Sequence, residues 1–116
     1  MASRGYIVLG IFLCLCGVTA GCMTASIGDI SYQEGGLHIV ATNHDPTVQA
    51  VLQVTVYRVE NLTQVEIFKK AEFIQFESGT REYVMPVALD RGTYKVYVYI
   101  TVDGDSKARV VRDLVV

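Results

Sequence analysis

Thr93-Tyr94-Lys95-Val96-Tyr97-Val98-Tyr99-Ile100-Thr101-Val102 decides the fold. Tyr94, Val96, Val98, Ile100 and Val102 occupy every second position, against Lys95, Tyr97, Tyr99 and Thr101. A period of two places successive side chains on opposite faces of a strand, so the first set reads as buried and the second as facing outward. The composition agrees, because β-branched and aromatic residues suit a pleated, half-buried surface.

The same pattern recurs on both sides of this stretch, with turn residues between the runs. Residues 27–32 read as a first strand, ended by Gln33-Glu34-Gly35-Gly36. Residues 37–43 follow, with Leu37, Ile39 and Ala41 alternating against His38, Val40 and Thr42. Asn43-His44-Asp45-Pro46 breaks that run, since Asn and Asp favour turns and the residue before a proline is pushed away from helical geometry. Residues 50–59 set Leu52, Val54 and Val56 on one face and Gln53, Thr55 and Tyr57 on the other. Glu60-Asn61-Leu62-Thr63 reads as a hairpin turn.

Residues 65–76 change phase: Val65 and Ile67 stand at odd positions, Phe68, Ile74 and Phe76 at even ones. A bulge or two short strands explain such a change; a short helix over 69–73 is a weaker option. In 81–89, Tyr83, Met85, Val87 and Leu89 share a face, and Pro86 demands an edge strand or a kink because it cannot donate to a ladder. Asp103-Gly104-Asp105 is a tight hairpin turn, and 107–116 closes the chain. Seven strand-like segments at this spacing argue for an all-β, antiparallel sandwich.

Two local patterns specify the sandwich further. Leu89-Asp90-Arg91-Gly92-Thr93-Tyr94 has the Leu-x-x-Gly-x-Tyr spacing that resembles the tyrosine corner of immunoglobulin-like and fibronectin III-like domains. The resemblance implies that Tyr94 bonds back to the preceding loop, with Gly92 allowing the sharp turn. Ile39-Val40-Ala41-Thr42-Asn43, followed by Ala50-Val51-Leu52-Gln53-Val54-Thr55-Val56-Tyr57, resembles the second and third strands of cell-adhesion-related (CARDB-like) domains. His44-Asp45-Pro46 stands where that family usually has Gly, so the loop differs. The likeness spans roughly 37–102 and implies an immunoglobulin-like sandwich of about seven strands. It brings no catalytic residue.

The N-terminus gives a location. Arg4 precedes the apolar run from Tyr6 to Cys16, and small residues follow as Gly17-Val18-Thr19-Ala20-Gly21 before Cys22. A charged start, an apolar stretch of about 7–15 residues and a small-residue cleavage site make an export signal, expected as an apolar helix preceding the sandwich. Val18-Thr19-Ala20 fits cleavage after Ala20. Thr19-Ala20-Gly21-Cys22 resembles a lipoprotein signal, with Thr19 where Leu is usual. Of the three cysteines, Cys14 and Cys16 lie inside the apolar run. An exported chain keeping only Cys22 has no disulfide partner for it, and an unpaired cysteine there calls for an explanation. Lipid attachment at Cys22 is the most economical one. An uncleaved anchor and full secretion are the alternatives, since 6–23 carry no charge and come just within the length that spans a bilayer. The expected division is therefore 1–21 signal or anchor, 22–26 tether, and 27–116 one sandwich domain.

Charge and motif exclude most chemistries. Beyond the signal, nine Lys/Arg face twelve Asp/Glu, scattered singly apart from Lys69-Lys70. No basic patch for nucleic acid results. His38 and His44 have no third ligand at a zinc-binding spacing, and no Gly-x-Ser-x-Gly elbow is present. Loop oxygens at Asn43, Asp45, Asp103 and Asp105 could attract calcium, but turn formation already accounts for these residues. No catalytic residue, metal or cofactor is expected.

Two site expectations remain. Asn61-Leu62-Thr63 is a glycosylation sequon in an expected exposed turn. Tyr97 and Tyr99, with Tyr57 from the neighbouring strand, form an outward aromatic platform suited to a protein or polysaccharide partner, since tyrosine offers an apolar ring with a polar tip. Cross-strand stabilisation explains the same rings without a ligand. The sequence thus points to a non-enzymatic surface module held at the membrane by its N-terminus. A filament subunit donating its last strand is the second expectation, and an exported hydrolase the third.

Overall fold

The computed structural model describes residues 24–116. The expected export helix and Cys22 lie outside the described residues. Seven strands follow in order: β1 (Ala25–Gln33), β2 (Gly36–Asn43), β3 (Val48–Glu60), β4 (Thr63–Phe76), β5 (Gly79–Pro86), β6 (Thr93–Val102) and β7 (Asp105–Val115). They form two antiparallel sheets, β1-β2-β5 and β4-β3-β6-β7. The described chain is an all-β sandwich. β1 takes in Ala25 and Ser26, which sequence alone assigned to the tether.

The alternations become the core. Leu37, Ile39, Leu52, Val54, Val56, Met85, Tyr94, Val96, Val98 and Ile100 are buried between the sheets, with Phe76 closing one end. Burying one such aliphatic side chain stabilises the fold by roughly 1.5–3 kcal/mol. Ile27, Ile30 and Tyr32 of β1 and Ala108, Val110 and Leu114 of β7 pack half-buried against this cluster.

Three hairpins turn through two residues with positive φ: Glu34-Gly35 (50° and 76°), Asn61-Leu62 (46° and 69°) and Asp103-Gly104 (51° and 82°). This geometry matches the right-handed twist of the flanking strands. Glycine takes the second position in two of them. Leu62 takes it in the third and is fully exposed.

Residues 65–76, where the phase changes, belong to one long strand with a bulge. Val56 pairs with Phe68 and Tyr57 with Glu66, leaving Ile67 as the extra residue. The bulge reverses the parity of β4, so odd-numbered Val65 and even-numbered Phe68, Ile74 and Phe76 share the inner side; no helix forms at 69–73. Lys70 and Glu72 also fall on that side, opposite Val54 and Leu52, and pair at 2.8 Å. β4 is an edge strand, so the inward charges still reach water, and they discourage edge-to-edge pairing with another chain.

β5 is an edge strand too, and it ends at Pro86, three residues short of the expected Leu89. With no N–H to continue the ladder, the chain leaves the sheet there. Val87 N then donates to Gly35 O at 3.1 Å, and Leu89 N to the Tyr32 hydroxyl at 2.9 Å.

Candidate functional site

The four-stranded sheet carries its own array of side chains on the outer face, and strand pairing puts them in rows. One row reads Glu66–Tyr57–Lys95–Asp113 across β4, β3, β6 and β7. The next is Lys69–Thr55–Tyr97–Val111, and the third Ala71–Gln53–Tyr99–Arg109. Phe73–Val51–Thr101–Ser106 completes the face. The strictly alternating β3 and β6 supply the centre of each row; the bulged β4 and the edge strand β7 supply the ends.

These rows enclose a shallow depression of about 510 Å³ lined by Gln53, Thr55, Tyr57, Glu66, Lys69, Tyr97, Tyr99, Thr101, Ser106 and Arg109. Thr55 forms its floor at 6% exposure. The rings of Tyr57 and Tyr97 meet edge to face, with centroids 5.3 Å apart. That arrangement suits the quadrupoles of the two rings. It also leaves the rings half-buried, with part of their surface turned outward. Tyr57, Tyr97 and Tyr99 therefore come together on one face.

The described tyrosines divide into two groups by what their hydroxyls do. Tyr32 accepts from Leu89 N at 2.9 Å, Tyr83 accepts from Glu77 N at 3.0 Å, and Tyr94 donates to Asp90 O at 2.6 Å. All three secure loops. Among the described residues, the hydroxyls of Tyr57, Tyr97 and Tyr99 have no hydrogen-bond partner. A buried tyrosine usually finds a partner for its hydroxyl; these three face the depression with theirs uncommitted.

The charges divide in the same way. Lys95 pairs with Asp113 at 3.7 Å, compensating the first row. Among the described residues, Lys69 and Arg109 have no carboxylate within ion-pair distance.

The other sites expected from sequence lie elsewhere. Tyr94 is buried beside Leu89, and Arg58 Nη2 donates to its hydroxyl at 3.2 Å while the guanidinium lies 5.7 Å from the ring centroid. Gly92 has no positive φ, and the atoms nearest an added Cβ would be the Tyr94 ring and hydroxyl at ordinary contact distances. Its backbone instead bonds Val116 in both directions, at 3.1 and 2.9 Å. Asn61 is exposed at the tip of the β3–β4 hairpin, and the neighbouring Thr63 hydroxyl donates to Glu60 O. Among the described residues, no three His, Cys, Asp or Glu side chains gather as a metal site. His38 belongs to the outer face of the three-stranded sheet, where its Nδ1 meets Glu82 Oε1 at 2.6 Å and its Nε2 meets Gln33 O at 3.3 Å. The Glu82 hydrogen bond, helped by that carboxylate's charge, raises the His38 pKa above its ordinary value against a smaller opposing effect of burial.

Sequence reasoning did not single out Thr55 or Arg109, named Lys69 only as the neighbour of Lys70, and read Asn43 as a turn and loop residue rather than a clamp. Asn43 is buried and clamps the two sheets: Nδ2 donates to Phe76 O at 3.0 Å and to Pro46 O at 3.3 Å, and Oδ1 accepts from Asp45 N at 2.9 Å. Lys69 and Arg109 lie 40 residues apart in the chain. Only the pairing of four strands brings them to one depression.

No known protein family matches this sequence, and no curated protein does. Nine solved chains match the fold. One is a Bacteroides fragilis protein assigned provisionally as a beta-galactosidase, similar at a TM-score of 0.56 and 18% identity over 82% of this chain. This chain spans 16% of that protein's length, so the likeness is to a minor part of it and shows the sandwich fold alone.

Proposed function

We propose that the protein is an exported, membrane-anchored, non-enzymatic surface module of the immunoglobulin-like class that binds a protein or an envelope polymer. The binding surface is the outer face of the four-stranded sheet. One observation carries this reading: three tyrosines whose hydroxyls have no partner among the described residues meet on one face, while the other three described tyrosines are used in loop bonds. Rings that offer both an apolar surface and a free polar tip serve recognition of sugars and proteins alike.

The location rests on the N-terminal export pattern and on Cys22 as the lipidated residue. Thr24 lies at one end of the sandwich, where its carbonyl accepts from His44 N at 2.8 Å. The β2–β3, β4–β5 and β6–β7 loops share that end, by the antiparallel order of the strands; the Asn61 hairpin lies at the other. A module tethered through Cys22 would hold the tyrosine face sideways to the membrane and Asn61 away from it, which suits glycosylation there. The CARDB-like and fibronectin III-like resemblances support a module without catalytic residues. Strand donation in a filament finds no support in β7, which pairs with β6 from Thr93↔Val115 to Val102↔Asp105.

The combined Tyr57→Ala and Tyr97→Ala variant of the full-length chain tests the platform. Affinity capture from envelope extracts should lose its partner while circular dichroism shows the sandwich still folded, its thermal transition lowered by roughly 4–8 °C for each kcal/mol the rings contributed. Unchanged capture would refute the reading. Intact mass of the exported protein tests the anchor: a lipidated Cys22 start is expected, and a start at Gly21 or at Met1 overturns it.

A further inference from the structure

We infer that the tyrosine face selects an acidic polysaccharide, one that presents carboxylates along its length. The inference rests on the platform reading and adds the chemistry of the ligand. Its basis is where the uncompensated charge stands. In the row of Tyr97 the outermost residue on β4 is Lys69, and in the row of Tyr99 the outermost residue on β7 is Arg109. Neither row contains an acid. Lys95 is paired with Asp113; Glu66, which lines the depression from the Tyr57 row, has no ion-pair partner among the described residues, so the depression carries two cations against one acid.

The resulting surface is an aromatic centre with, at each side, one cation that has no ion-pair partner among the described residues. Lys69 and Arg109 are separated by three strand spacings, about 14 Å at roughly 4.8 Å each. A single small anion cannot contact both ends. A linear polymer crossing the strands can do so while lying over Tyr97 and Tyr99. The two cations also differ usefully: Arg109 offers a planar fork that matches a carboxylate in two parallel bonds, whereas Lys69 is a compact charge that tolerates several geometries. A neutral polysaccharide would leave both unused, and an acidic one would use both together with the free hydroxyls. The protein is net acidic overall, with twelve Asp/Glu against ten Lys/Arg. Attraction of a polyanion is therefore a local property of this face.

The decisive comparison uses one backbone in two charge states. Full-length protein in detergent is titrated calorimetrically with an oligomer of galacturonic acid, then with the same oligomer after methyl esterification, which removes the charge and leaves the sugar rings. The acid form should bind more tightly, and added salt should weaken it alone. Lys69→Ser and Arg109→Ser should each weaken the acid form by about two- to fivefold, the effect of losing one exposed ion pair, and leave the ester unchanged. Tyr57→Ala with Tyr97→Ala should remove both. If acid and ester bind alike and the cation variants match the parent, the charge inference is overturned while the platform reading stands. If neither oligomer binds but the tyrosine variant still loses its captured partner, the ligand is not an acidic sugar and the inference falls alone. If the tyrosine variant changes nothing, both fall. Thermal melts of each variant confirm that the sandwich is intact.

Discussion

The two outer faces of this sandwich are built from the same alternating strands and end up in opposite states. On the three-stranded sheet, His38 is joined to Glu82 at 2.6 Å and Thr42 to Thr80 at 2.9 Å, so polar groups on neighbouring strands satisfy one another. On the four-stranded sheet, the hydroxyls of Tyr57, Tyr97 and Tyr99 and the charges of Lys69 and Arg109 have no partner among the described residues. Leaving polar groups unpaired contributes nothing to folding, whereas cross-strand pairs contribute about 0.2–1 kcal/mol each. The closed face is accounted for by stability. The open face is the one on which the proposed binding surface stands.

The contrast assumes that both faces rest on one core, and Tyr94 is the place to strain that assumption. Its hydroxyl donates to Asp90 O and accepts from Arg58. Tyr94→Phe removes both hydrogen bonds, although Arg58 keeps Glu60 and Asp90 within ion-pair distance, and should cost about 1–3 kcal/mol in chemical denaturation, with ligand capture unchanged at temperatures where the protein is folded. Loss of capture in the folded variant would mean that the face depends on the corner.

A paired experiment on the two faces sharpens the contrast. Tyr57→Ala with Tyr97→Ala removes an edge-to-face pair worth about 0.5–1.5 kcal/mol and should abolish capture. Thr42→Val with Thr80→Val on the closed face should cost no more than about 1 kcal/mol and leave capture untouched. Equal effects of the two variants on binding would erase the distinction between the faces.

The smallest effect concerns pH. Because folding raises the His38 pKa, chiefly through Glu82, its stabilising contribution is fully present below the ordinary value of 6.5 and is lost as pH rises through the folded pKa. Stability followed by denaturant titration should fall slightly over that window, and Glu82→Gln should flatten the profile. Ligand affinity should not follow the same curve, since His38 stands on the opposite sheet.

Much of this architecture was legible without coordinates. The inner rows of β2, β3 and β6 follow from period-two alternation, because each central strand has both faces specified by burial. β4 was legible only as a disturbance: its phase change marked a bulge but not which residue was extra. A bulge is a relation between two strands, and Ile67 is identified only by seeing Phe68 and Glu66 opposite Val56 and Tyr57. Arg58 and Asn43 were obscured differently. Their neighbours Tyr94 and Phe76 are more than thirty residues away, and local pattern carries no information on such contacts.

The platform divides along the same line. That Tyr97 and Tyr99 point outward is a consequence of sequence alone, since Tyr94, Val96, Val98 and Ile100 claim the core and the period leaves no choice. That Tyr57 meets Tyr97, with Thr55 beneath them and Lys69 and Arg109 on either side, was decided by tertiary structure. Four strands had to be laid in one order and one register before those residues shared a surface. Alternation determines which face a residue takes, but only pairing determines its neighbours there.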